Sequence, residues 1–306
     1  MNIITDHFNI AKAVVTGAGG FIGKALVKYL VESGTHVIAV DRLAIEDQDC
    51  EYVAADISTK GVLDKLIDDN TVVFHLAARA NVAESVSDPR GDFESTLCGH
   101  FEVLESIRKA GSQLIFPSTA SIFDSSNTLP LSEKAYVKPT SPYAAAKAAG
   151  EAYCAAYHRS YGLDIKIARM FSVYGIGMNR FAIHDLIKKI QQNSHELSIL
   201  GDGNQIRDYL NIKDTVRGLV MIALKGEAGE DYNLASGVAV KMIDLARHIA
   251  TLMGFPDIKI IPTGKSFPGD VPKWYADTSK INRIGFTPQI SLTDGLINTI
   301  SWLSQG

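Results

Sequence analysis

The sequence predicts an α/β protein, a doubly wound, mostly parallel sheet carrying a smaller C-terminal α/β lobe. Between Lys12 and about Met170, short β-branched runs alternate with longer helical stretches, the pattern of a sheet wound through βαβ units. Those runs are mainly apolar, as strands covered on both faces are. With 306 residues, 46% of them hydrophobic, the chain can bury a large core and sits at the length where single cores begin to split. The expected division is residues 1–170 as one domain, rejoined by about 205–225, and 171–306 as the second lobe.

The candidate strands are Ala13–Val15, His36–Val40, Val72–His75, Gln113–Phe116 and Asp164–Ala168. Between the first two, Phe21 to Ser33 reads as a helix that stops at Gly34. Ser141-Pro142 opens another, with Ser as cap and Pro, whose fixed φ suits a first turn, behind it. After Phe171 the rhythm loosens into turns such as Gly201-Asp202-Gly203-Asn204, with helices near 183–191, 214–224 and 242–253. No internal repeat or low-complexity tract interrupts the pattern.

Composition narrows the function. Lys and Arg number 30 against 34 Asp and Glu, so no global positive field exists to gather nucleic acid or anionic lipid. Cys50, Cys98 and Cys154 are odd in number and widely spaced, which suits neither a zinc cluster nor a disulfide framework and points to a reducing cytoplasm. His75, His158, His184 and His248 show no ligand spacing, and no metal is expected; His75 reads instead as the cap of a strand. Met1 to Phe8 lack a basic start before an apolar run, and no stretch approaches the ~18 apolar residues of a membrane span.

Directly after the first strand stands Thr16-Gly17-Ala18-Gly19-Gly20-Phe21-Ile22-Gly23, followed by a helix. A helix start offers unpaired N–H groups and partial positive charge, and Gly17, Gly20 and Gly23 let the backbone approach a pyrophosphate. Glycines also serve ordinary tight turns, but the second strand ends in Asp41, where a carboxylate can accept from both hydroxyls of an adenosine ribose. Asp41 favours NAD, since it would repel a 2′-phosphate; Arg42 beside it could pair with that phosphate, which keeps NADP open.

On the helix after Ser141-Pro142, Tyr143 and Lys147 are four residues apart and share a face, with Thr119 just after the preceding strand. A free phenol titrates near 10, so work as a base at neutral pH needs a fall of roughly 3, or ~4 kcal/mol. An adjacent ammonium and the charge of an oxidised nicotinamide together are of that order in a desolvated site. The alternative is that both residues decorate the surface of an Ala-rich helix.

The chain resembles the extended short-chain dehydrogenase/reductase superfamily in its nucleotide-sugar epimerase/dehydratase branch. The segments that carry the resemblance are Thr16 to Gly23, Asp56-Ile57, His75-Leu76-Ala77-Ala78, Ser118-Thr119-Ala120 and Ser141-Pro142-Tyr143 through Lys147. It continues in Arg169-Met170-Phe171, Val173-Tyr174-Gly175, Arg207-Asp208-Tyr209 and Pro268-Gly269-Asp270-Val271-Pro272 leading to Ala276-Asp277. The resemblance implies a Rossmann-type sheet holding NAD in residues Gly17 to Gly23. In it Phe21 and Ile22 would stand at the helix start, Asp56 at the adenine edge, Ile57 against the ring, and Ala77 and Ala78 along the dinucleotide. It further implies Thr119 on the reacting sugar hydroxyl, Tyr143 as general base, and Lys147 on the nicotinamide ribose while depressing the phenol. Val82 to Val86 is similar to the sugar-side loop of UDP-galactose 4-epimerases, which makes Ser85 a candidate sugar contact or else an ordinary loop serine. Relatives dimerise through the Ala-rich helix 144–157, so a homodimer is expected.

Ala120 and Ser121 follow Thr119 where the 4,6-dehydratases carry an Asp-Glu pair, which disfavours elimination of water. Thr96 stands in place of a usual asparagine, Ser172 replaces another, and Phe267 takes the place of an arginine that clamps the substrate diphosphate together with the one matching Arg207. Either Arg180, Lys265 or Lys273 substitutes, or the nucleotide or head group differs; Arg207 itself could instead pair with Asp208 or Asp214. The expected function is NAD-dependent C4 epimerisation of a nucleotide sugar through a 4-keto intermediate. Two other readings stand beside it: an NAD(P)H-dependent reductase or dehydrogenase of a 4-keto nucleotide sugar, and a dinucleotide-binding protein without catalysis.

Overall fold

The computed structural model describes residues 10–43, 50–265, 269 and 271–305, so the readings of Met1 to Phe8 and of Phe267 lie outside the described residues. The first part of the chain runs β1 (Lys12–Thr16), α1 (Phe21–Glu32), β2 (His36–Asp41), β3 (Glu51–Ala54), β4 (Thr71–His75), α2 (Val82–Ser87) and α3 (Pro89–Asp92). A π-helical turn, Phe93–Cys98, leads into α4 (Gly99–Ala110), β5 (Gln113–Thr119), α5 (Pro142–Tyr161), β6 (Ile165–Met170) and β7 (Ser172–Tyr174). There follow α6 (Ala182–Gln192), β8 (Glu196–Ile199), β9 (Ile206–Arg207), β10 (Tyr209–Asn211), α7 (Ile212–Lys225) and β11 (Asp231–Leu234). Then come β12 (Val240–Lys241), α8 (Met242–Leu252), β13 (Lys259–Pro262), α9 (Ser279–Arg283) and α10 (Leu292–Leu303).

Seven strands form one parallel sheet in the order β11-β6-β5-β4-β1-β2-β3. Both faces are covered, and the strand period of two splits each strand between two cores. In β1, Ala13 and Val15 pack with Leu26 and Leu30 of α1 and Leu219 of α7. Val14 packs on the opposite side with Val103, Leu104 and Ile107 of α4. Each fully buried leucine removed from water here stabilises the fold by roughly 1.5–3 kcal/mol. A third cluster joins Ile187 of α6, Leu197 of β8, Leu245 and Ile249 of α8 and Leu296 of α10 in the C-terminal part. The chain also returns to the sheet twice from beyond residue 170: α7 packs on α1, and β11 pairs with β6.

The helix boundaries follow their local chemistry. Ser33 caps α1 and Gly34 continues with φ of +84°. Ser141 accepts from the N–H of Ala144 at 3.2 Å and Pro142 fills the first position of α5. The sheet reverses direction of winding between β1 and β4, and the carboxyl ends of those strands open a crevice, the place where doubly wound sheets bind ligands.

Candidate active site

At the end of β1 the chain turns through Gly17, whose φ is +68° and which has no room for a side chain: a Cβ there would lie 2.6 Å from the Ala77 nitrogen. Gly23, in the first turn of α1, rides directly over that turn, where a Cβ would meet the Gly17 carbonyl oxygen at 2.1 Å. Gly20 caps α1 without a side chain, so no side-chain acceptor covers the first-turn N–H groups. Thr16 closes the floor: its hydroxyl meets His75 Nδ1 at 2.8 Å and accepts from the Ala77 N–H at 3.3 Å. His75 is thus the buried end of β4, stacked on His100 at 5.3 Å.

Asp41 ends β2 and grips the turn from the side, accepting from the N–H of Gly19 at 2.9 Å and of Leu43 at 3.1 Å. The Arg42 guanidinium leans on Asp56 at 4.0 Å, an exposed pair worth little by itself. Asp56 accepts from the backbone and hydroxyl of Ser58, which hold its carboxyl below the usual carboxylate range, with Arg42 adding a smaller pull. Ile57 is buried beside it.

Across the crevice, α5 presents a buried stripe of Tyr143, Lys147, Gly150, Glu151 and Cys154 to the sheet. Gly150 permits the approach, since a Cβ there would stand 2.8 Å from the Phe116 ring. The helix is pinned by Arg169 of β6, which binds Glu151 at 2.7 Å, the Glu133 carbonyl at 2.7 Å, and Asp231. Removing one partner of such a buried pair strands the other charge, so this ion group fixes where α5 sits. Lys147 donates to the Pro117 carbonyl at 2.8 Å and lies over the Phe116 ring at 4.7 Å. Thr119 bonds Ser121 at 2.8 Å and, on its other side, the Tyr143 hydroxyl.

The electrostatics differ from the sequence expectation. Burial pushes the Tyr143 phenol up to about 12, against smaller lowering by Thr119 and Arg180, and pushes the Lys147 amine down to about 8. The expected acidification by Lys147 does not arise from contact, because its ammonium is turned to Pro117. The protein's own groups therefore keep the phenol protonated at neutral pH.

Gly17, Gly20, Phe21, Ile22, Gly23, Asp41, Arg42, Asp56, Ile57, Ala77, Ala78, Thr119, Tyr143, Lys147, Ser172, Arg180 and Arg207 all lie on the walls of one cleft of about 810 Å³. Ser85 does not: it is buried in α2 and donates to the Val82 carbonyl at 2.7 Å. Arg180 stacks on Phe181 at 4.7 Å, whereas Lys265 and Lys273 are off the cleft walls. Arg207 lies over the Trp274 ring at 4.2 Å and donates to the Ile206 and Pro272 carbonyls. Asp208 instead accepts from Ser236, Gly237 and Ala276, and Asp214 pairs with Arg217, so both alternative partners for Arg207 are occupied elsewhere.

Sequence reasoning did not single out Trp274 or Lys189, which also line the cleft, as does Ser121. Buried polar atoms of Ser118, Tyr209 and Trp274 face no hydrogen-bond partner among the described residues, which suits a polar ligand in that part of the cleft. The acids on the walls, among the described residues, are Asp41, Asp56 and Asp185; none of them is on β5 or in the turn after Thr119.

Comparison with known proteins agrees with this layout. The family described as NAD dependent epimerase/dehydratase matches residues 13–235. UDP-glucose 4-epimerase of Mycolicibacterium smegmatis is 30% identical, over 95% of this chain and 98% of its own. A dTDP-glucose 4,6-dehydratase of Streptomyces niveus is 28% identical over 95% of this chain and 92% of its own. Among solved structures, UDP-glucose 4-epimerase of Thermotoga maritima with UDP-glucose superimposes with a TM-score of 0.89 at 29% identity, covering 96% of this chain and 99% of that one.

Proposed function

The chain belongs to the NAD dependent epimerase/dehydratase family, and we propose that it inverts C4 of a nucleotide-activated hexose through a 4-ketone, with NAD retained through the cycle. The observation that carries this reading is that Thr119, Tyr143 and Lys147 share one cleft with the glycine cradle, while the two residues directly after Thr119, Ala120 and Ser121, carry no acid. Dehydration needs a proton donor and a base beside the sugar; Ala120 and Ser121 offer neither.

The cradle fits a dinucleotide, since Gly17 and Gly23 let the turn and the start of α1 close up where a Cβ would strike backbone, and the helix start has no side-chain cap. Bound there, NAD would supply a hydride acceptor and, when oxidised, a positive charge. Thr119 orients the 4-hydroxyl of the sugar, and Tyr143 takes its proton at the phenol oxygen and later returns it. Bringing the phenol from about 12 to neutrality takes roughly 7 kcal/mol. One cation ~4 Å away supplies ~4 kcal/mol at an effective dielectric of about 20, so a second is required. Arg180 already lowers the phenol, and Lys147, whose ammonium is turned to Pro117, would be the chain's own second cation only on turning toward the phenol. Arg180 and Arg207 lie on the cleft wall, where they would meet the diphosphate.

The test is incubation of the protein, without added cofactor, with UDP-, GDP-, CDP- and dTDP-hexoses. A product inverted at C4 with no net change in nicotinamide absorbance supports the epimerase; stoichiometric consumption of NADH or NADPH would replace it with a reductase, and no conversion would favour the non-catalytic reading.

We further propose a homodimer formed through α4 and α5 in the cytoplasm, where the free cysteines stay reduced. No helix among the described residues is long and apolar enough to cross a membrane. Phe101 and Tyr153 stack edge to face across the two helices and stay 40% and 44% exposed, with Phe93 and Tyr161 exposed nearby. Such an aromatic surface is costly in water and suits a two-fold contact. Sedimentation is expected to give twice the 33.1 kDa protomer mass, and Tyr153→Lys is expected to give the protomer; a wild-type monomer at micromolar concentration removes the proposal.

A further inference from the structure

We infer that Asp92 is a positioning residue of this site, a buried carboxylate without a hydrogen-bond partner among the described residues, whose charge acts on Lys147 and Tyr143 together. This rests on the roles proposed above for Tyr143 and Lys147. Asp92 is the last residue of α3 and directly precedes the π-helical turn Phe93–Cys98; both segments pack against α5. Isolated π turns are rare and recur at functional sites. The side chain is 1% exposed, and neither carboxylate oxygen has a hydrogen-bond partner among the described residues. Burial pushes the Asp92 carboxyl above its usual range and Asp88 adds to this, while Arg79 and Lys147 favour its charged form through space.

The surrounding charges identify what it acts on. From the loop after β4, Arg79 reaches toward Asp92 but closes on Asp88 at 2.5 Å. From α5, Lys147 and Tyr143 both feel the Asp92 charge. Lys147 also faces Glu151 and Cys154 on its own helix, His100 of α4 and His75 of β4. Burial holds both imidazoles far below their usual value, so they stay neutral, and it holds the Cys154 thiol protonated. Glu151 is already bound to Arg169. Tyr143 faces Thr119 and Arg180 besides Asp92. Among the described residues, Asp92 is thus the negative charge that Tyr143 and Lys147 share without a bonded cation of its own. Its sign is the same on both: it favours the ammonium and disfavours the phenolate, so it raises both titrations.

The test needs no sugar turnover. The Tyr143 phenolate is titrated by ultraviolet difference against Tyr143→Phe in the NAD-loaded protein, in wild type, Asp92→Asn and Asp92→Leu. Removing the charge is expected to lower the Tyr143 midpoint by about one pH unit in either variant; an unchanged or raised midpoint overturns the inference. A role in packing alone would lower the melting temperature and leave the midpoint in place. Should neither variant fold, carbon-13 NMR of the wild-type carboxylate decides: Asp92 ionised at neutral pH supports the inference, and Asp92 protonated there overturns it. Failure of every nucleotide sugar to react would sink the proposed function and still leave this titration readable.

Discussion

Tyr143→Phe is expected to lower kcat by about 10³-fold, within the range that a positioned general base contributes, while KM and NAD affinity change by no more than about twofold. The substitution removes one oxygen from a ring that is 9% exposed and otherwise fills its place under α5. Thr119 keeps its bond to Ser121, so the sugar-side hydroxyl stays oriented without the phenol. What disappears is the atom that accepts the proton when the hydride leaves, an interaction needed in the transition state and not in the bound substrate. Steady-state kinetics on whichever sugar the panel identifies will read this. A rise in KM at constant kcat would make Tyr143 a binding residue and dismiss it as the base.

Gly23→Ala is expected to weaken NAD binding about 100-fold, or ~2.7 kcal/mol, and to cost a further ~1–3 kcal/mol of stability through overpacking. Its Cβ would sit 2.1 Å from the Gly17 carbonyl and 2.8 Å from the Ala18 Cα, and neither backbone atom can swing aside. The start of α1 must lift off the turn, and the N–H groups aimed at the pyrophosphate move with it. Gly34→Ala is the control: nothing lies within 4 Å of its Cβ, and only its φ of +84° is strained. It should cost ~1–2 kcal/mol of stability and leave NAD affinity unchanged. Calorimetric titration and thermal denaturation of both variants separate the effects; equal NAD affinity in the two would mean that the cradle does not depend on the close approach at Gly23.

The central strands were legible because β1, β2, β4 and β5 hold apolar runs, a pattern that two-sided burial produces, and β6 keeps Ile165, Ile167 and Ala168 around a buried Lys166. The two outer strands were not. β3 is four residues long and half exposed, so no apolar run marks it. β11 reads Asp-Tyr-Asn-Leu, and its buried Asn233 is tolerated because its amide donates to the Leu131 carbonyl at 2.8 Å and its N–H to Glu133, contacts a hundred residues away in sequence. The site divides in the same way. Gly17, Gly23, Asp41, Tyr143 and Lys147 have fixed spacing around one strand-turn-helix or one helix face, and the cleft collects them. Asp92 is a single acid in a short helix, with nothing local to distinguish it from a solvated one; its burial comes from the packing of the π turn on α5. Ser85 shows the converse, a residue whose loop resembled a sugar contact and whose hydroxyl is spent inside its own helix. The direction of the Tyr143 titration was equally out of reach, since it depends on how completely water is excluded and on where the Lys147 ammonium points.

The most direct measurement follows one hydrogen. A nucleotide hexose carrying deuterium at C4 is converted by the protein as purified, and both epimers are analysed by NMR. If the hydride leaves C4 for a retained NAD and returns to the other face of the same carbon, deuterium stays at C4 in the inverted product without dilution by solvent or by added unlabelled NADH. Deuterium lost to solvent, or replaced by hydrogen from added cofactor, would contradict the account.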